Sequence, residues 1–310
     1  MQILNILAPV FLMIGLGAWL QRSRFVSPDF LKEANRVTYW LGLPALVFSQ
    51  LASSVHELGG AQRVLGLMFV ATGILIVAGY LGALLLRVPG AAVGTYVQAA
   101  FRGNLAFVGL PIIYSFPDQP LTSGVSLRTA AIVTVAPMMV FYNCAGVAVL
   151  LMSQHRFGWA MVKPLVWQLV TNPPLLATVA GLTFAFAGWT LPAALDKTFT
   201  ALGEMALPLG LLGVGGSVAL VTAGTKWRLP LSSAVIKTVL GPLVGWLVGT
   251  LGGLAGFELK VLLILLACPT AIVSYTMALE LKGDGDLAAG GIVASVFTSL
   301  VSLALIVALA

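Results

Sequence analysis

The sequence predicts an all-α membrane protein: ten transmembrane helices forming two five-helix halves of opposite orientation, with spans four and nine broken. Three observations carry this: the composition, the spacing of the apolar runs, and prolines that recur at nearly one offset between the halves. Of 310 residues, 59% are hydrophobic and only 8% charged, with a mean hydropathy of +1.04. A soluble domain carries roughly 25% charged residues, and there is too little polar surface here to cover a water-soluble globule. A soluble enzyme, a nucleic-acid-binding domain and a disordered protein are therefore excluded. The long unbroken aliphatic runs also exclude a barrel of alternating ten-residue strands.

A helix needs about 20 apolar residues to cross a bilayer. That window gives ten spans: Ile3–Leu20, Val37–Leu51, Val64–Leu86, Ala91–Phe116, Ala130–Met152, Val166–Phe186, Phe199–Val221, Leu231–Leu254, Val261–Leu281 and Leu287–Leu309. The second is the shortest and is expected to start earlier, near Phe30. No basic stretch precedes Ile3, so no cleavable signal peptide is expected. Every loop is too short for a soluble domain, so residues 1–310 are expected to be a single membrane domain.

The net charge of +6 marks topology rather than nucleic-acid binding, because the basic residues sit singly or in small groups between spans. Arg22, Arg24, Lys32, Arg36, Arg87, Arg156, Lys163, Lys226, Arg228, Lys237 and Lys282 follow odd-numbered spans. Arg63, Arg128, Lys197 and Lys260 lie on the other side. Eleven against four puts the odd loops in the cytoplasm and both termini outside the cytoplasmic (inner) membrane. Trp19, Trp159, Trp189 and Trp227 fall near span ends, as interfacial rings should; Trp246 is mid-span and is expected to pack between helices.

Five spans per half is an odd number, so the halves, about 1–155 and 156–310, must be inverted repeats. Leu43-Pro44 in span two is echoed by Leu207-Pro208 in span seven, and Leu110-Pro111 in span four by Cys268-Pro269 in span nine. Span one has Ala8-Pro9, and span six has Pro173-Pro174. An interior proline removes a hydrogen bond and clashes with the carbonyl four residues back. Span four adds Arg102, Gly103, Asn104 and Gly109, and span nine adds Thr270, Ser274 and Thr276. Both spans read as discontinuous, interrupted close to Pro111 and Pro269. Half-helix N-termini at such breaks offer a site for a carboxylate.

At these residues the sequence resembles the auxin efflux carrier family, whose members include plant carriers and bacterial permeases of malate-like anions. The matching segments are Leu41–Phe48, Gly103–Ile112, Asn172–Leu182, Leu202–Gly216, Lys237–Pro242 and Ala267–Leu279, in family order along nearly the whole chain. The resemblance implies the fold of the bile-acid/sodium symporters, with a scaffold part, a transport part, spans four and nine crossing at their breaks, and elevator-type alternating access. By the same resemblance, Asn104, Pro111, Pro269 and Asn172 would surround a carboxylate substrate. The plant carriers pair an acid with a base at the start of span three; here Arg63 has Gly59 in the acidic place.

The residues' own chemistry adds candidates. The Asn104 amide can donate to a carboxylate, or the residue can cap the second half-helix. Asn172 before two prolines also suits a helix cap. Thr270 directly follows Pro269 at the second break and joins the substrate set. Arg102 is a cation inside an apolar span, which must face a cavity or partner, contact an anion, or snorkel. Glu204 and Lys237, at spans seven and eight, suit a structural pair, with a proton or charge relay, Arg63 included, as the sharper alternative. Beyond Pro269 no carboxylate occurs until Glu280, so H+ is favoured over Na+ as coupling ion. The function expected is secondary transport of small carboxylates, with an anion channel or uncoupled uniporter as alternative. A homodimer is left open; no nucleic acid, metal or cofactor is expected. Cys144 and Cys268 lie inside apolar spans and suit neither a disulfide framework nor a metal site. No HExxH, Gly-x-Ser-x-Gly or Walker A pattern occurs, which argues against an enzyme or a primary pump.

Overall fold

The computed structural model describes residues 2–52, 58–121, 124, 126–154, 166–167, 170–171, 173–219 and 226–308. Among the described residues every regular element is a helix. In order they are α1 (Gln2–Arg22), α2 (Pro28–Val37), π1 (Thr38–Gly42), α3 (Leu43–Ala52), α4 (Leu58–Leu85), α5 (Gly90–Phe101), π2 (Leu105–Gly109), α6 (Leu110–Tyr114) and α7 (Leu127–Gln154). Then come α8 (Pro173–Phe186), α9 (Ala193–Ala219), α10 (Arg228–Val235), π3 (Ile236–Leu240), α11 (Gly241–Leu251), α12 (Gly256–Ala267), α13 (Val273–Glu280) and α14 (Gly285–Ala308). Among the described residues five helical stretches are long and apolar enough to cross a membrane: Gln62–Leu85, Leu127–Ser153, Ala193–Gly216, Arg228–Leu251 and Gly285–Ala308.

Local chemistry explains several boundaries. α2 starts at Pro28 because the Ser27 side chain accepts the Phe30 N–H at 3.1 Å and proline suits a first turn; the second helical run thus begins just before Phe30. α1, α4 and α13 are each followed by a basic residue in left-handed conformation: Arg24 (φ 57°), Arg87 (φ 53°) and Lys282 (φ 58°). Such a residue ends a helix and brings positive charge to its negative end.

The three π segments share a context. Each ends two residues before a proline: Pro44 after π1, Pro111 after π2 and Pro242 after π3. The Leu43 N–H donates to Thr38 and the Gly241 N–H to Ile236, both five residues back. Widening the turn shifts the carbonyl that the proline ring would strike. Pro9, Pro137 and Pro208 instead sit inside ordinary α-helices. The matched prolines Pro44 and Pro208 therefore do different things to their helices.

The chain folds into two compact units. The first comprises Met1–Leu65, Ala106–Val140 and Val170–Ala219; the second comprises Gly66–Leu105, Phe141–Leu169 and Leu220–Ala310. Each draws on both halves of the sequence. The first is built around α1, α3, α8 and α9, which approach closely through glycines. A Cβ at Gly17 would lie 2.8 Å from the Leu212 Cα, and one at Gly215 would lie 2.7 Å from the Ala18 nitrogen. Phe48 packs between Phe184 and Phe199, with centroids 5.3 and 5.1 Å away.

The second unit gathers α5, α10 with π3, and α12 to α14. Tyr96, Phe101, Tyr142 and Leu265 are fully buried in it. Trp246 is not packed between helices as expected: it is 56% exposed on α11. An indole on the outside of a membrane span costs little, because the surroundings there are themselves apolar.

Candidate functional site

Within the second unit two helices stop facing one another. α5 ends at Phe101; Arg102 is extended (φ −81°, ψ 100°), and helical geometry resumes at Leu105. α12 ends at Ala267; Cys268 is extended (φ −54°, ψ 142°), and α13 begins at Val273. The residue before a proline avoids the helical region, which puts the second interruption at Cys268-Pro269. The first interruption lies at Arg102–Asn104, not at Pro111, which sits in the first turn of α6 behind π2.

The freed backbone groups pair with each other. Gly103 and Thr270 form an antiparallel bridge. The Asn104 N–H donates to the Pro269 carbonyl at 2.7 Å, and the Ala271 N–H to the Arg102 carbonyl at 3.1 Å. In hydrocarbon such groups must be satisfied within the protein. Thr270 completes the arrangement. Its hydroxyl donates to the Ala99 carbonyl at 2.9 Å, in the last turn of α5, while its N–H donates to the Ser295 hydroxyl at 2.8 Å.

Further polar side chains are buried at this crossing. Arg102 is 4% exposed, and its guanidinium donates to Asn143 Oδ1 and the Met277 sulfur. It therefore neither snorkels nor stands alone. Gln98 also points at the Met277 sulfur, 3.7 Å away. Asn104 is likewise 4% exposed. Lys237, in π3, is fully buried, and its ammonium donates to the Leu266 carbonyl. Glu258 is a buried acid of the same unit, but it lies in the first turn of α12, at the end away from the crossing. Two cations and two interrupted helices make an electropositive, low-dielectric setting suited to an anion.

Of the residues singled out from sequence, the structure therefore brings together Arg102, Asn104, Lys237, Pro269 and Thr270. Pro111, Glu204 and Arg63 belong to the first unit, where Pro111 is buried and Glu204 and Arg63 are exposed. Asn172, His56, His155 and Trp159 lie outside the described residues. Ser295, Asn143, Gln98 and Met277 had escaped notice. The available signal was weak: single polar or sulfur-bearing residues inside apolar spans, for which intramembrane polarity is itself the pointer.

The profile of a membrane transport protein family matches residues 2–307. The chain is 21% identical to an uncharacterized transporter of Methanocaldococcus jannaschii, covering 97% of each chain. It is 27% identical to a Rhizobium meliloti protein provisionally named a malonate transporter, over 81% of this chain and 78% of that one. It is 25% identical to a provisionally named auxin efflux carrier component, 9, of Oryza sativa subsp. japonica, over 48% of this chain and 35% of the rice protein.

Proposed function

Because the chain belongs to the membrane transport protein family, which takes in the auxin efflux carriers, we propose that it is a secondary active transporter of small carboxylates. The carrying observation is the paired interruption at Arg102–Asn104 and Pro269–Ala271, lined by buried cationic and amide side chains. Irregular backbone at membrane depth is tolerated where protein buries it or a cavity reaches it, and transporters use it to bind ions. A relative named for malonate supports an organic anion as cargo.

In this reading Asn104, Arg102 and Thr270 contact the carboxylate, Pro269 keeps the second helix open, and Pro111 and Asn172 remain candidates for the substrate set by the family resemblance. A scaffold part and a moving part then alternate access in an elevator-type cycle, built from ten spans in a 5+5 inverted repeat. The 21 residues of α1 rise about 31 Å, enough for a span beyond the five long apolar stretches. Both termini lie outside the cytoplasmic membrane. Glu204 and Arg63, exposed on the first unit, are candidates for a proton or charge relay.

The test is a thermal-shift screen of the purified protein against mono- and dicarboxylates, with and without sodium, followed by counterflow in proteoliposomes. A ligand that binds only the folded state raises its stability by mass action. A carboxylate that stabilises the protein and shows saturable counterflow supports the reading. Non-saturable flux marks a channel, and no stabilisation by any carboxylate removes the proposal.

A further inference from the structure

Lys237 is fully buried, and the position of its ammonium is unusual. It donates to the Leu266 carbonyl, in the last turn of α12. In a continuous helix that carbonyl would accept from the N–H of Thr270, but this N–H donates to Ser295 instead. The interruption thus releases a carbonyl at the negative end of a helix, and the ammonium takes it. The ammonium also lies against the crossing itself: a Cβ added at Gly103 would sit 3.0 Å from Cε and 3.2 Å from Nζ of Lys237. α5 ends differently. Its released carbonyl, Ala99, is taken by the neutral hydroxyl of Thr270.

In transporters with broken helices, carbonyls at half-helix C-termini are where a coupling cation is held. We propose that the Lys237 ammonium is the resident cation of this crossing. It fills the place an alkali ion would need beneath the interruption, holds the end of α12, and supplies fixed positive charge for the anionic cargo, so that carboxylate binding requires no sodium. The proposal rests on the transporter reading for its cargo but not for its cation site. Lys237 acts here by position and charge: it makes no contact with the cargo and carries no proton through the cycle.

The experiment compares the purified wild-type protein with Lys237→Ala and Lys237→Met. Melting temperatures are read in sodium, choline, methylammonium and ethylammonium chloride at matched ionic strength, and malonate uptake is read in proteoliposomes. The wild type should melt and transport equally in sodium and choline. Lys237→Ala should melt earlier and, without the fixed positive charge near the cargo, lose malonate uptake roughly 10-fold. Methylammonium or ethylammonium, small enough to enter the space left by the side chain, should restore its melting temperature, while bulky choline should not. Lys237→Met, which fills that space, should not respond to amines. Sodium stabilising the wild type over choline, or Lys237→Ala behaving as wild type without amines, overturns the proposal. So does a destabilised Lys237→Ala that no small amine rescues. If neither variant yields folded protein, the wild-type comparison of sodium with choline decides alone. Absence of carboxylate binding by the wild type would sink the transporter reading, while the substrate-free melting data still judge Lys237.

Discussion

The first unit is held together by what its helices lack, and the centre of the second by what its helices carry. Along α1 and α9, Gly17 and Gly215 leave room for backbone to lie against backbone, with nothing polar required. Around Gly103 and Thr270, the backbone has left helical geometry, and every freed group must find a partner, some of them side chains. Close packing through small residues gives a membrane protein rigidity without a hydrophobic driving force. Polar groups held out of water give it something to bind with, at some cost in stability. The two arrangements should therefore fail in different ways when altered.

The largest effect is expected in the glycine contact. Gly215→Val places side-chain atoms where the Ala18 nitrogen and Gly17 Cα already stand, 2.7 and 2.9 Å from the new Cβ. Overpacking of this kind costs about 3 kcal/mol or more, because backbone cannot yield as a side chain can. The yield of monodisperse protein and its melting temperature should both fall sharply; an unchanged melting curve would erase the contrast between the units.

Asn104→Ala should show the opposite profile. Loss of a hydrogen bond to a charged partner is worth about 1.5–3 kcal/mol, so carboxylate affinity should drop roughly 10–100-fold. The melting temperature should move by only a few degrees. Uptake and melting of the same preparation are the check; early melting with unchanged uptake per folded molecule would make Asn104 a structural cap.

Thr270→Val sharpens the comparison from within the second unit. It leaves the Ala99 carbonyl buried without its hydroxyl donor, a loss of about 1–3 kcal/mol. Thr270→Ser should recover most of it. If the Val variant melts like the wild type while the Ser variant melts early, the methyl group rather than the hydroxyl holds the helix end.

The smallest effect is expected from Arg87→Gly, which touches neither arrangement. Arg87 sits at φ 53°, a conformation costing an L-residue about 1–2 kcal/mol and glycine almost nothing. A melting temperature raised by a few degrees is expected. A fall would mean that the arginine's interaction with the end of α4 outweighs its backbone strain.

The all-helical, apolar character of the chain was legible because apolar length is written directly in the residues. The location of the first interruption was not. Pro111 drew attention as the stronger helix breaker, yet π2 absorbs it, and the chain opens instead at Arg102-Gly103-Asn104. At Pro269, by contrast, Cys268 precedes the proline in extended geometry and no π segment intervenes. The place of Thr270 directly after Pro269 was legible, but its partners Ala99 and Ser295 were not, because they lie 171 and 25 residues away and only the fold joins them. Trp246 misled because a mid-span position cannot distinguish a helix neighbour from lipid.

The widened turns at Thr38–Gly42, Leu105–Gly109 and Ile236–Leu240 also bear on how this chain can change over generations. Each holds one residue more than an ordinary turn, so removing that residue would restore the α-helix and swing everything beyond it by about 100°. A single-codon insertion or deletion there rephases which residues meet lipid and which meet protein, without cutting the helix. In most membrane helices a gap in an alignment signals a mistake. At these three turns it is where physics would place one, and a proline two residues downstream marks the spot.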